Sequence, residues 1–275
     1  MNTNRDITLE EMLEAIEGYP YLRECFSNHL KWLFEKCGEQ KRHDHIYFKI
    51  VTGRDSLGRL ENMFEEAGRI LGLDEIELHK VFDFDSASDC NDMLKLGDSL
   101  AEVRVAIELK NLGFSEIEKI SAREKKFADF TAKYDDVKFA IEVKNVRERE
   151  FYERLTDGIY NDDITFLGDL RDAPFGNLPT AEGESLLLSL ERRLRLSEDR
   201  TKIGEQLNNT VEKYNCQSTM IIISVETISF INDSPSFIDQ YLSQIMAKYP
   251  IADYLACYLG GQELFTHPKL SLETT

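Results

Sequence analysis

Between positions 126 and 145 the sequence reads KFADFTAKYDDVKFAIEVKN, alternating apolar and polar residues about an acidic pair. That pattern permits little except a two-stranded antiparallel hairpin. Strands over 126–134 and 137–145 meet at Asp135-Asp136, and a two-residue turn puts Tyr134 opposite Val137. Counting outward from the turn, Asp129 falls opposite Glu142. Alternation then separates two faces. Ala128, Phe130, Ala132 and Tyr134 join Phe139, Ile141 and Val143 on an apolar face that has to pack on a core. Phe127, Asp129, Thr131 and Lys133 share the other face with Lys138, Ala140, Glu142 and Lys144. Two carboxylates side by side repel each other, so this patch requires a cation.

The residues just before the hairpin supply a third carboxylate. Gly97, Asp98 and Ser99 are helix-start residues, and Gly113 after Leu112 is a stop. A short strand is expected over 117–120. At about 100° per residue, Glu102 falls between Ala106 and Leu109 and close to Val105, on a mostly apolar arc. Glu108 shares its arc with Arg104 and Asn111 and reads as solvated. A glutamate on the packed side of a helix is costly unless something binds it, which singles out Glu102.

A helix with an inward Glu, followed by a hairpin carrying Asp and Glu-x-Lys, resembles the PD-(D/E)XK nuclease superfamily with its restriction-endonuclease-like core. The matching residues are Glu102, the Ala128-Asp129 pair and the triplet Glu142-Val143-Lys144, with alanine at 128 where the name-giving proline would sit. The resemblance covers positions 97–145 and, more loosely, a helix and strand further on. It implies that Asp129, Glu142 and the Val143 carbonyl hold Mg²⁺ or Mn²⁺. It also implies that Lys144 positions or activates the attacking water, and that Glu102 holds a second metal or a metal-bound water. The activity it implies is phosphodiester hydrolysis in nucleic acid, DNA ahead of RNA, by an endo- or exonuclease. Microbial defence or a mobile element is the setting by analogy. The plainer alternative is a solvated hairpin face on which Asp129 pairs with Lys144, and the inward Glu102 counts against it.

The charge balance complicates a nucleic-acid enzyme. With 51 acidic and 33 basic residues the net charge is −18, whereas phosphate binding calls for Lys and Arg. Arg123, Lys125, Lys126, Lys144, Arg147, Arg149 and Arg154 nevertheless gather around the proposed site, and Arg192, Arg193, Arg195, Arg200 and Lys202 form a second basic run. Of these, Lys126 and Arg147 are candidate phosphate contacts. The overall charge argues against a large independent DNA-binding surface, so a protein partner or a second copy of the chain is expected to help deliver substrate. It also supports a rival reading: a non-catalytic acidic protein of the nuclease fold that binds a protein partner or mimics DNA.

The rest of the chain reads as two regions: a mostly helical 1–95, and an α/β core over 96–275 with a mixed central sheet flanked by helices. Helices are expected around Leu9, Met12, Leu13 and Ile16, over 21–37 and over 57–71, and a strand over 45–52. His43, Asp44 and His45 read as a solvated turn rather than a metal site. The acidic stretch 82–92 reads as a linker without calcium-loop spacing. Positions 146–198, rich in turn formers, look like an insertion whose Asp162, Asp163, Asp169 and Asp172 are either extra ligands or solvated loop acids. The core resumes with an amphipathic helix over 200–214, where Lys202 and Gln206 lie one turn apart and either face the substrate backbone or form a solvated face. A strand buried on both faces over 218–225, a helix over 235–248 and a strand over 254–259 follow. The tail from Gln262 reads as peripheral. Five scattered cysteines without C-x-x-C spacing, a start unlike a signal peptide and no membrane-length apolar run point to a cytoplasmic protein with no membrane association.

Overall fold

The computed structural model describes residues 7–38, 51–52, 54–84, 93–121, 126–146, 197–225, 235–248, 250–259 and 264–270. They group into two compact units, one of residues 1–111 and 117–124, the other of residues 112–116 and 125–275. The helix expected at the head of the core therefore groups with the N-terminal helices.

The first unit contains α1 (Leu9–Ile16), α2 (Pro20–Lys36), α3 (Arg54–Leu71), α4 (Glu75–Val81) and α5 (Met93–Asn111). Thr8 and Glu11 cap α1 reciprocally, and Asp74 and Glu77 do the same for α4. At α2, Tyr19 offers no side-chain cap, and Glu61 of α3 instead accepts the Tyr21 and Leu22 N–H groups at 3.0 and 2.9 Å. The core is aromatic: the Phe64 ring meets Phe26 and Phe84 edge-on at 6.5 and 5.5 Å.

Three expectations change here. Phe82 and Phe84, placed in a linker by their acidic neighbours, are buried core rings; 85–92 lie outside the described residues. Val51 and Thr52, the end of the expected strand over 45–52, are helical, and the rest of that strand lies outside the described residues. Helix α5 begins at Met93, ahead of Gly97-Asp98-Ser99, and the Ser99 hydroxyl donates to Phe82 O at 3.0 Å rather than capping. The helix stops as expected, with Gly113 at φ +92.

A mixed six-stranded sheet runs in the order β1 (Ser115–Lys119), β2 (Phe130–Tyr134), β3 (Val137–Val146), β4 (Ser218–Val225), β5 (Tyr254–Leu259) and β6 (Leu264–His267); β2 to β6 build the second unit, whereas residues 117–119 of β1 group with the first. β2–β3 and β5–β6 are antiparallel, whereas β3, β4 and β5 run parallel. The β2–β3 register runs from Tyr134↔Val137 to Phe130↔Ile141, as derived from the acidic turn, with Asp135 at φ +50. Helices α6 (Ser197–Tyr214) and α7 (Pro235–Lys248) cover one face, where Ile203, Leu207, Leu242 and Ile245 pack on Ala140, Ile221, Ile223, Leu255 and Cys257. On the other face the Phe114 ring lies 5.0 Å from Tyr134 and 5.6 Å from Phe139. The tail is not peripheral, since β6 pairs with β5 from Leu255↔His267 to Tyr258↔Leu264.

The parallel strands are tied together where they begin. Gln217 N–H donates to Lys138 O at 2.8 Å while Lys138 N–H donates to Gln217 Oε1 at 2.7 Å. Asp253 Oδ2 accepts from Ser218 Oγ, Thr219 N and Thr219 Oγ1 at 3.1, 2.9 and 2.8 Å.

Candidate metal centre

The regular β2–β3 ladder ends at Phe130↔Ile141, one position short of Asp129. Asp129 leaves it by donating its N–H to Ile141 O at 3.0 Å, an off-register bond of the kind found at β-bulges. Its carboxylate then folds onto the neighbouring strand, where Oδ2 accepts the Val143 N–H at 2.8 Å. The expected cross-strand pair is thus replaced by a side chain anchored on the backbone between Glu142 and Lys144.

Glu142 is 2% exposed, and its Oε1 accepts from Lys144 Nζ at 2.5 Å. Two positions apart on one strand, these side chains share a face, and the charge-assisted bond offsets burial of the carboxylate. The solvated alternative paired Asp129 with Lys144; the lysine pairs with Glu142 instead. The sheet brings Asp129, Glu142, Val143 and Lys144 together.

Glu102 belongs to the first unit, and so does the cation that neutralises it. Lys119 Nζ stands 3.1 Å from Glu102 Oε2, donates to Ile120 O at 3.0 Å and lies 5.7 Å from the centre of the Phe82 ring. The lysine side chain is 1% exposed. Sequence reasoning singled out the inward glutamate and missed its partner. Strand parity carried the signal, because Lys119 shares a face with the buried Ile117. Glu108 is half-buried rather than solvated. Burial raises its carboxyl pKa, an Asn111 hydrogen bond opposes that shift, and the Glu66 charge adds to it.

Helix α6 holds the backbone that leads into Asp129. Asn209 Nδ2 donates to Lys126 O at 2.9 Å, Gln206 Nε2 donates to Phe127 O at 3.1 Å, and Thr210 Oγ1 accepts the Ala128 N–H at 2.7 Å. Gln206 therefore turns inward as a positioning residue, whereas Lys202 and the Lys126 side chain are exposed. These contacts also correct the expected start of β2 at 126, since α6 takes the backbone groups a longer strand would use. Arg147, the insertion with its aspartates, most of the second basic run and the 43–45 turn lie outside the described residues.

Among the described residues no three His, Cys, Asp or Glu side chains gather as a ligand group. The second unit instead offers two carboxylates, Asp129 and Glu142, with the Val143 carbonyl between them in sequence. Among those residues no helix is long and apolar enough to cross a membrane. No family model, curated protein or solved structure matches this chain.

Proposed function

We propose that this chain is a divalent-metal-dependent nuclease on a restriction-endonuclease-like core, acting on DNA ahead of RNA. The observation that carries the reading is the Asp129 carboxylate anchored on Val143, beside the buried Glu142 and its partner Lys144. Mg²⁺ keeps several waters and takes one or two carboxylates, so two acids and a carbonyl suit it without a third acidic side chain. Bound there, Mg²⁺ or Mn²⁺ would polarise the scissile phosphate and acidify a water. Lys144, released from Glu142, would orient that water and offset charge developing on the phosphate. Glu102 joins the chemistry in this reading only by exchanging Lys119 for a metal or its water. With a net charge of −18, substrate delivery by a protein partner or a second copy of the chain belongs to the proposal. A cytoplasmic role in defence or a mobile element is the analogy.

One observation favours a second reading. Glu142–Lys144 and Glu102–Lys119 are closed ion pairs that balance without metal. That is what a non-catalytic acidic protein, binding a protein partner or mimicking DNA, would retain.

Melting with and without Mn²⁺, together with cleavage of labelled DNA and RNA, separates the two. For wild type, Mn²⁺ should raise the melting temperature through preferential binding to the native state, and cleavage should require it. Asp129→Asn should keep an acceptor for Val143 N–H and fold, yet lose both effects. Undiminished cleavage in that variant removes the proposed site, and metal binding without cleavage moves the second reading ahead.

A further inference from the structure

On the face of the sheet opposite Glu142 and Lys144, the parallel strands end in a polar row. Asn145 of β3 stands in register with Ser224 of β4, and Ser224 with Tyr258 of β5. The residues preceding them on that face, Val143, Ile222 and Ala256, are apolar and buried. Asn145 and Ser224 are themselves only 3% and 1% exposed. Yet Asn145 Oδ1, Asn145 Nδ2 and Ser224 Oγ have no hydrogen-bond partner among the described residues. Buried polar groups left in that state are costly and call for an explanation.

The two side chains do not explain each other. Neighbouring strands lie about 4.8 Å apart, so an amide and a hydroxyl in register are within reach. They make no bond to one another, and both project from the same face.

We propose that Asn145 and Ser224 form a site for a small neutral guest that both donates and accepts hydrogen bonds. The chemistry narrows the choice. A bare cation would want carboxylate oxygens, and a phosphate would want charged donors; this row offers neither. An asparagine amide beside a hydroxyl presents donors and acceptors together without formal charge. Ordered water fits, since it needs two to four polar partners. So does the edge of an unpaired base, which an asparagine side chain can match with one donor and one acceptor. The place is also one where α/β sheets take ligands, outside the carboxyl ends of parallel strands. The inference does not rest on the metal-centre reading, because alternation puts these side chains on the other face.

The sign of a melting shift tests it. If the row is occupied, Ser224→Ala or Asn145→Val deprives the guest of a partner, and the melting temperature should fall by about 2–4 °C. If it is empty, each change removes an unpaired buried polar atom and the melting temperature should rise or stay level; that result overturns the proposal. Ser224→Ala takes away a single atom, so its sign is readable even where Asn145→Val fails to fold. Neutral nucleosides added to wild type, Asp129→Asn and Asn145→Val then identify the guest. Stabilisation of the first two but not the third assigns it as a base. No nucleoside effect, combined with the fall in Ser224→Ala, assigns it as solvent.

Discussion

Thr210 holds the backbone of Ala128. Its Oγ1 accepts the Ala128 N–H at 2.7 Å and donates to Gln206 O at 2.8 Å, so one hydroxyl links helix α6 to the residue before Asp129. Together with Gln206 on Phe127 O and Asn209 on Lys126 O, it draws three consecutive residues away from β3. That diversion is why β2 begins at Phe130 and why Asp129 leaves the ladder to reach Val143.

Thr210→Val keeps the shape of the side chain and deletes the acceptor. The Ala128 N–H is then buried and unpaired, at a cost of about 1–3 kcal/mol. The urea midpoint should fall, and the Mn²⁺-dependent melting shift should shrink although Thr210 is not a proposed ligand. An unchanged midpoint would show that this bond does not position the segment.

Lys144→Met removes the partner of Glu142 as well as the proposed catalytic group. Loss of one member of a buried ion pair costs about 3–5 kcal/mol, and the quarter-exposed lysine places this case at the lower end. Mn²⁺ should restore part of the lost stability by supplying Glu142 with a cation. Cleavage should drop by about 10²–10³-fold. Equal melting of variant and wild type without metal would contradict the structural half of this expectation.

The pair in the first unit should show strong coupling. Lys119→Met strands Glu102 beside a mostly apolar helix surface and should destabilise by about 3–5 kcal/mol. Adding Glu102→Gln removes the stranded charge and should recover most of that loss. A double-mutant cycle in urea measures it, and additive effects would mean that the two groups do not depend on each other.

Alkaline stability should report on Cys257. Burial pushes this thiol up to about 12, from an ordinary value of 9.0. The unfolded chain therefore releases the proton first, so the stabilising contribution is intact below the ordinary value and declines as pH rises toward the folded one. Urea midpoints at about pH 8 and about pH 10.5 should fall further for wild type than for Cys257→Ala. Identical declines would remove the thiol as the cause.

What the sequence disclosed depends on how local the determinant was. The β2–β3 register follows from two acidic residues at a turn, and it holds from Tyr134↔Val137 to Phe130↔Ile141. The apolar run of β4 and the helix over 235–248 are equally local, and both form where their patterns place them. Asp129 escapes the same counting because residues on α6, distant in sequence, reset its backbone. Gln206 read as a substrate contact or a solvated side chain, and only tertiary packing turns it, with Asn209 and Thr210, into a clamp on the segment before Asp129. Gly97-Asp98-Ser99 carried a helix-start signature, yet α5 begins earlier and uses Ser99 to tie down Phe82. The acids around Phe82 and Phe84 suggested a linker, but the aromatic rings decided the outcome through burial.

The clasps at Lys138–Gln217 and Thr219–Asp253 sit where β3, β4 and β5 begin, whereas Glu142, Lys144, Asn145 and Ser224 lie toward the ends where those strands finish. Alignment is thereby settled at one margin of the sheet, and the candidate site is presented at the other. Segments leaving the far margin can lengthen, shorten or be exchanged without shifting one strand against the next. Such a scaffold can acquire new recognition elements while the placement of Glu142 and Lys144 is inherited unchanged.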